Sequence, residues 1–200
     1  MADTGAPHFI PYVEPTDLVR DYPAADEASA FAVAAALDAA GGLVAVKSAI
    51  FTGTQAASVL ASDNVAITDL SITHEVSDPS NTVVLFGNAG IMANSDGRVN
   101  TGLAFAIDGA LIGIGAADGS STQVGAGGIL NRSDQLNLSS EGRTVMFATT
   151  PGAGSKLYTL NAINVIGATR TVFVNRTESS STDATIPRGA STLILMEVKV

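Results

Sequence analysis

The chain has 200 residues and a formal net charge of −9, with 46% hydrophobic and 5% aromatic residues and neither cysteine nor tryptophan. That length fits one domain with or without an appendage, and the missing cysteine excludes disulfide and thiolate chemistry. The acidic balance argues against free nucleic acid as a partner, because phosphate binding needs a basic footprint.

The acidity is concentrated at the start. Residues 1–40 hold seven acidic side chains and one basic, Arg20, whereas residues 41–200 hold twelve and nine. Met1 to Phe9 has no basic region and no apolar core, so no signal peptide is expected there. No apolar run is long enough for a membrane span, so no membrane insertion is expected.

In residues 1–22, Pro7, Pro11 and Pro15 recur every four residues. Proline fixes φ and biases its predecessor towards extended backbone. The segment also carries Phe9, Ile10, Tyr12, Val13, Leu18, Val19 and Tyr22. It reads as an extended arm that lies in a groove on a neighbour, and these seven residues are its expected attachment contacts.

Residues 23–41 read as a helix. Pro23 suits a first turn, and Asp26 and Glu27 suit the positive end of the helix dipole. Ala30, Val33, Leu37 and Ala40 form a narrow apolar seam at helical spacing, flanked by small residues. Such a seam permits close approach of symmetry mates, here a trimer contact; the competing reading lays a single helix on the β-domain. Gly41-Gly42 ends the helix.

From Leu43 to the end the pattern turns to period two, and residues 43–200 read as one β-domain. Val44, Val46 and the run to Phe51 predict a first strand. Val65 and Ile67 alternate, then Leu70, Ile72, His74 and Val76 alternate in the opposite phase, which implies a turn or bulge at Thr68-Asp69. A strand at 82–93 looks interrupted at Gly87 and Gly90. Asp108-Gly109 between apolar runs is the strongest hairpin signal. Further strands fit 143–149, 156–166, 170–176 and 191–199. The last is apolar on both faces until its end, as expected of a central strand covered on both sides. Many short strands with regular turn signals argue for a two-layer antiparallel β-sandwich. Its display loops would be Gly113 to Gly128 and Thr177 to Thr185.

Residues suited to catalysis are few. The only histidines are His8, in the arm, and His74, in a strand, where a hydrogen-bonded structural role is expected. A Ser/His/Asp triad would have to recruit one of them, and no Gly-x-Ser-x-Gly elbow occurs. Pro151 to Lys156 lacks the order and following helix of a phosphate loop and reads as a hairpin turn. Asn94 to Gly97 lacks the ligand ladder of a calcium loop. Asp108, Asp118 and Asp134, the acids that could serve a glycosidase, lie in turn-like contexts that favour Asp for backbone reasons. Tyr158 is the only tyrosine in the β-domain for stacking a sugar. Asn131, Asn137 and Asn175 begin Asn-x-Ser/Thr triplets and read as loop chemistry. No catalytic residue, cofactor or metal site is expected.

Two stretches carry a resemblance. The first is Pro11-Tyr12-Val13-Glu14-Pro15-Thr16-Asp17-Leu18-Val19-Arg20-Asp21-Tyr22-Pro23 with the alanine-rich segment after it. The second comprises Gly102 to Gly109, Ile112 to Gly115, Asn161 to Asn164, Val172 to Arg176 and Arg188 to Val198. In these the chain resembles surface proteins of tailed-bacteriophage virions, with an N-terminal attachment segment and a β-sandwich head. The resemblance implies a homotrimer with jelly-roll or tumour-necrosis-factor-like heads, and no catalytic residues. The expectation is therefore a non-enzymatic virion surface protein, made in the host cytoplasm. It would be a capsid decoration protein (cement or head fibre) bound to the major capsid protein. The rivals are a tail fibre or minor tail protein that contacts a host surface glycan or protein, and a polysaccharide hydrolase.

Overall fold

Strand-forming Val, Ile, Thr and Phe alternate with small or polar residues through most of the chain from Leu43 onward, and Gly, Asn, Asp and Ser punctuate them. The computed structural model describes residues 42–95, 99–116, 118–119, 121–130, 141–177 and 189–200, and every regular element among them is a strand. The arm and its contacts Phe9 to Tyr22, and the helix with Ala30, Val33, Leu37 and Ala40, lie outside the described residues. So do Asn131, Asp134, Asn137 and most of the 177–185 loop.

Eleven strands form: β1 (Leu43–Phe51), β2 (Gln55–Val59), β3 (Asn64–Val76), β4 (Thr82–Asn94), β5 (Val99–Ile107), β6 (Ala110–Ile112), β7 (Ala126–Leu130), β8 (Glu141–Thr149), β9 (Gly154–Asn164), β10 (Arg170–Val174) and β11 (Ser191–Val198). They make two antiparallel sheets. One has the order β1-β11-β4-β10-β2 with β8 also paired to β4; the other has β3-β9-β5-β6 with β7 also paired to β5. β10 takes up the flank of β4 where β11 leaves it, and β2 continues the line of β1. β6 and β7 likewise share one flank of β5. Each sheet is thus four strands wide, with some strands built in two pieces.

Side chains from both sheets enter one buried cluster. Leu85, Leu193 and Leu195 come from the first sheet, and Leu70, Leu103, Phe105, Tyr158 and Leu160 from the second, each fully buried. Truncating such a leucine to alanine costs about 2–5 kcal/mol.

Several expectations are met in detail. β3 slips its register against β9 between Ala66 and Ser71. Asp69 takes a left-handed backbone there, with φ of 59°, which moves the apolar residues back to the core face after the phase change. Asp108 (φ 49°) and Gly109 (φ 86°) form the two-residue turn joining β5 to β6, with positive φ at both positions as that hairpin demands. β11 is central, between β1 and β4, but it is buried on one face only, with Thr192, Ile194, Met196 and Val198 half-buried on the other.

Others are corrected. Gly87 does not interrupt β4, which is one strand throughout; at Gly90 the expectation is met in part, because the register against β8 shifts between Ala89 and Met92. A Cβ at Gly87 would lie 2.6 Å from Leu160 and 2.9 Å from Phe105, so the glycine makes room for two large side chains of the opposite sheet. Pro151 to Lys156 is not a hairpin, because β8 belongs to one sheet and β9 to the other. The same holds for the links β2–β3, β3–β4, β4–β5, β7–β8 and β9–β10, so most turns carry the chain across rather than back alongside itself.

Candidate functional site

β11 points Leu193, Leu195 and Glu197 to the same face by its period of two, and all three are fully buried. The Glu197 carboxylate is therefore held in the core, where an ionised group persists only if hydrogen-bonded. It is. Its Oε2 lies 2.7 Å from Nε2 of His74 on β3. Its Oε1 accepts the Ser77 amide at 3.0 Å, the Ser77 hydroxyl at 2.8 Å and the Asn81 side-chain amide at 2.6 Å. Burial alone would raise the Glu197 pKa. Donation from Asn81, from the Ser77 side chain and backbone and from His74 outweighs it and holds the group at about 2. An ionised carboxylate only accepts, so His74 Nε2 carries the proton it shares.

The turn between β3 and β4 supplies these donors. Asp78 accepts the Ser80 amide at 2.8 Å and its hydroxyl at 2.6 Å, and the Asn81 amide donates to the Asp78 carbonyl at 3.1 Å. Those bonds set the turn that aims Ser77 and Asn81 at Glu197.

Histidine, serine and a carboxylate are the parts of a hydrolytic triad, but their order here is wrong for one. Catalysis needs the imidazole between hydroxyl and carboxylate. In this cluster the carboxylate stands between the hydroxyl and the imidazole, and His74 is 5% exposed. The arrangement ties β11, β3 and the β3–β4 turn together. Tyr158 is fully buried beside it, so its ring is not presented to a sugar. Burial, then the charges of Glu197 and Asp108, push its hydroxyl up to about 12. Asp108 Oδ1 accepts the Leu157 amide at 2.9 Å, which is backbone service at a turn. Asp118 lies in the loop after β6. Among the described residues no group of three His, Asp or Glu could hold a metal ion.

A second polar node closes the break between β10 and β11. Asn175, fully buried with φ of 58°, donates its side-chain amide to the carbonyls of Phe51 at 2.8 Å and Gly53 at 3.1 Å. Its Oδ1 accepts the Ser191 hydroxyl at 2.7 Å, and its backbone amide donates to Ile91. This burial agrees with a structural rather than a glycan-bearing Asn175.

The two sheets differ on their outward faces. On the first, register aligns Val46, Met196, Val84 and Ala148 in one row across four strands, and Ser48, Ile194, Phe86 and Met146 in the next. Ile50, Thr192, Asn88 and Thr144 complete a third. None of these twelve residues is charged. Val46 is 55% exposed, Ile50 61% and Met146 65%. The second sheet instead turns Ser71, Thr73 and Glu75 of β3 outward, opposite Thr159, Leu157 and Ser155 of β9.

Sequence reading singled out His74 but passed over Glu197 within the last strand. The signal was available: Glu197 shares the parity of Leu193 and Leu195. Asn175, directly after Val172-Phe173-Val174, carried the weaker signal of a residue that tolerates left-handed backbone. Compared with known proteins, the chain matches no protein-family model and no curated protein.

Proposed function

We propose that this is a non-enzymatic structural protein of a tailed-phage virion: a homotrimeric capsid decoration protein, anchored to the major capsid protein by residues 1–22. In this reading residues 23–41 form the helix that brings three chains together. Residues 43–200 are a β-sandwich head of jelly-roll or tumour-necrosis-factor-like type, on the virion surface.

The observation that carries the reading is where the polar groups are spent. His74, the only histidine after the arm, is locked in the core against Glu197. The hydroxyl and amide of Ser77 and Asn81 serve the same carboxylate. The side chains most suited to chemistry thus hold strands together. That economy suits a durable surface module, and the acidic, proline-spaced arm suits attachment to a neighbour. Two four-strand-wide antiparallel sheets sharing one core support the sandwich.

The test is to label the protein on intact particles and image them. Many copies over the whole head are expected, and protein lacking residues 1–22 should fail to bind particles. Label confined to the tail end would replace this reading with an adhesion role; normal binding without the arm would overturn the anchoring role. Absence from particles would overturn the virion reading.

A further inference from the structure

Neither the core nor the proposed function uses the uncharged outer face of the first sheet. It is four strands wide and three cross-rows deep, which at ordinary strand spacings is about 400 Å² of surface. An apolar surface of a few hundred Å² is often functional; eight of the twelve side chains on this face are apolar, and Ser48, Thr192, Asn88 and Thr144 are polar. Its centre, Ile194 and Phe86, is half-buried by its own neighbours, whereas Val46 and Met146 on the flanks are exposed.

Three features bear on what covers it. The first is where the rest of the chain attaches. Gly42 accepts a hydrogen bond from the Lys199 amide at 3.0 Å, so residues 1–41 join at the end of edge strand β1, beside the end of β11. β1 itself contributes Val46 and Ile50 to the face. The second is size. A stable contact with a separate partner needs about 800 Å² from each side, roughly twice what this face offers. A segment tethered through Gly41-Gly42 needs far less, because a short link gives it an effective concentration in the millimolar range or above. The third is composition. Residues 28–37 contain no charged side chain. A helix that is apolar all round is stable only when covered on more than one side. Eighteen helical residues span about 27 Å, close to the length of nine-residue β1, at about 30 Å.

We infer that residues 23–40 fold back as a helix across the outer face of the β1-β11-β4-β8 surface, with Ala28, Phe31 and Ala35 seated on Val46, Ile194 and Phe86. Those three residues lie at i, i+3 and i+7, on one helical side. The seam of Ala30, Val33, Leu37 and Ala40 lies on another side and stays free for the trimer contact. The inference does not depend on the virion reading.

The chain has no cysteine, so a single pair can be installed without background. In the full-length protein Ala35→Cys is combined with Ser48→Cys or Ile194→Cys on the face. The control pairs it with Glu75→Cys on the outward side of the other sheet. Under mild oxidation the face pairs should close within one chain at least tenfold faster than the control, read by non-reducing electrophoresis and peptide mapping. A second measurement uses protein without cysteine substitutions. Hydroxyl-radical oxidation of Met146 and Met196 should be slow, with fully buried Met92 as the internal reference, and should rise severalfold in Phe31→Asp. Links between chains, no preference over the control, protection without an intrachain link, or Met146 oxidised at the rate of a free side chain would each overturn the proposal.

Discussion

The side-chain amide of Asn175 donates to the backbone carbonyl of Phe51 at 2.8 Å, joining positions 124 residues apart. With the bonds to Gly53 and Ser191 it seals two strand interruptions that lie side by side in one sheet. Asn175→Ala removes these bonds, leaves buried carbonyls unpaired and forces alanine into left-handed backbone. The expected cost is about 3 kcal/mol, or a melting temperature lower by roughly 5–10 °C. Asn175→Gly keeps the backbone geometry and loses only the amide, so it should fall between. An alanine variant as stable as the parent would refute the stapling role.

Acid should weaken the fold through Glu197. Its folded pKa of about 2 lies below the ordinary 4.5, so the unfolded chain takes up the proton first as pH falls. The stabilisation is complete above about pH 5 and is lost progressively as pH drops towards 2. Urea midpoints measured between pH 7 and pH 3 should fall steeply for the parent protein. Glu197→Gln should start lower at pH 7 and show a flatter acid limb. Parallel curves would mean that the carboxylate contributes nothing pH-dependent.

Gly87→Val should destabilise by about 3 kcal/mol, because its side chain would enter the space held by Leu160 and Phe105. Gly87→Ala meets first the movable tip of Leu160 and should cost about 1–2 kcal/mol. Combining Gly87→Ala with Leu160→Ala should recover part of the loss. Strictly additive chemical-denaturation energies would show that the two positions do not share that space.

At the β5–β6 turn, Asp108→Asn should change stability by less than about 1 kcal/mol. Asparagine tolerates positive φ and can still accept from the Leu157 amide. Asp108→Val should cost more, about 2 kcal/mol, because a β-branched residue is strained there. Thermal melts of the two variants would separate backbone strain from loss of charge.

The strands were legible because alternation along a half-buried sheet is a local property. Val65 and Ile67 followed by Leu70 and Ile72 even disclosed the bulge at Asp69. Partner choice was not legible. Gly152 has φ of 78° and Gly154 of 104°, so Pro151 to Lys156 is indeed a sharp turn. Nothing in those residues says that the next strand joins the opposite sheet. The polar cluster was half legible for the same reason. His74 stood out by rarity, whereas Glu197 acquires its meaning only from a strand 123 residues away.

The chain leaves the sheet at Asn175 and re-enters it at Ser191, and a 2.7 Å hydrogen bond joins the two side chains. The two ends of the interval are therefore held by the sheet. Lengthening a closed loop is cheap, about 0.6 kcal/mol for each doubling. The position is in effect a built-in cloning port. Sequences of very different length and chemistry could be spliced between Thr177 and Gly189, outside the residues packed on the sheet, while strand register on either side stays fixed.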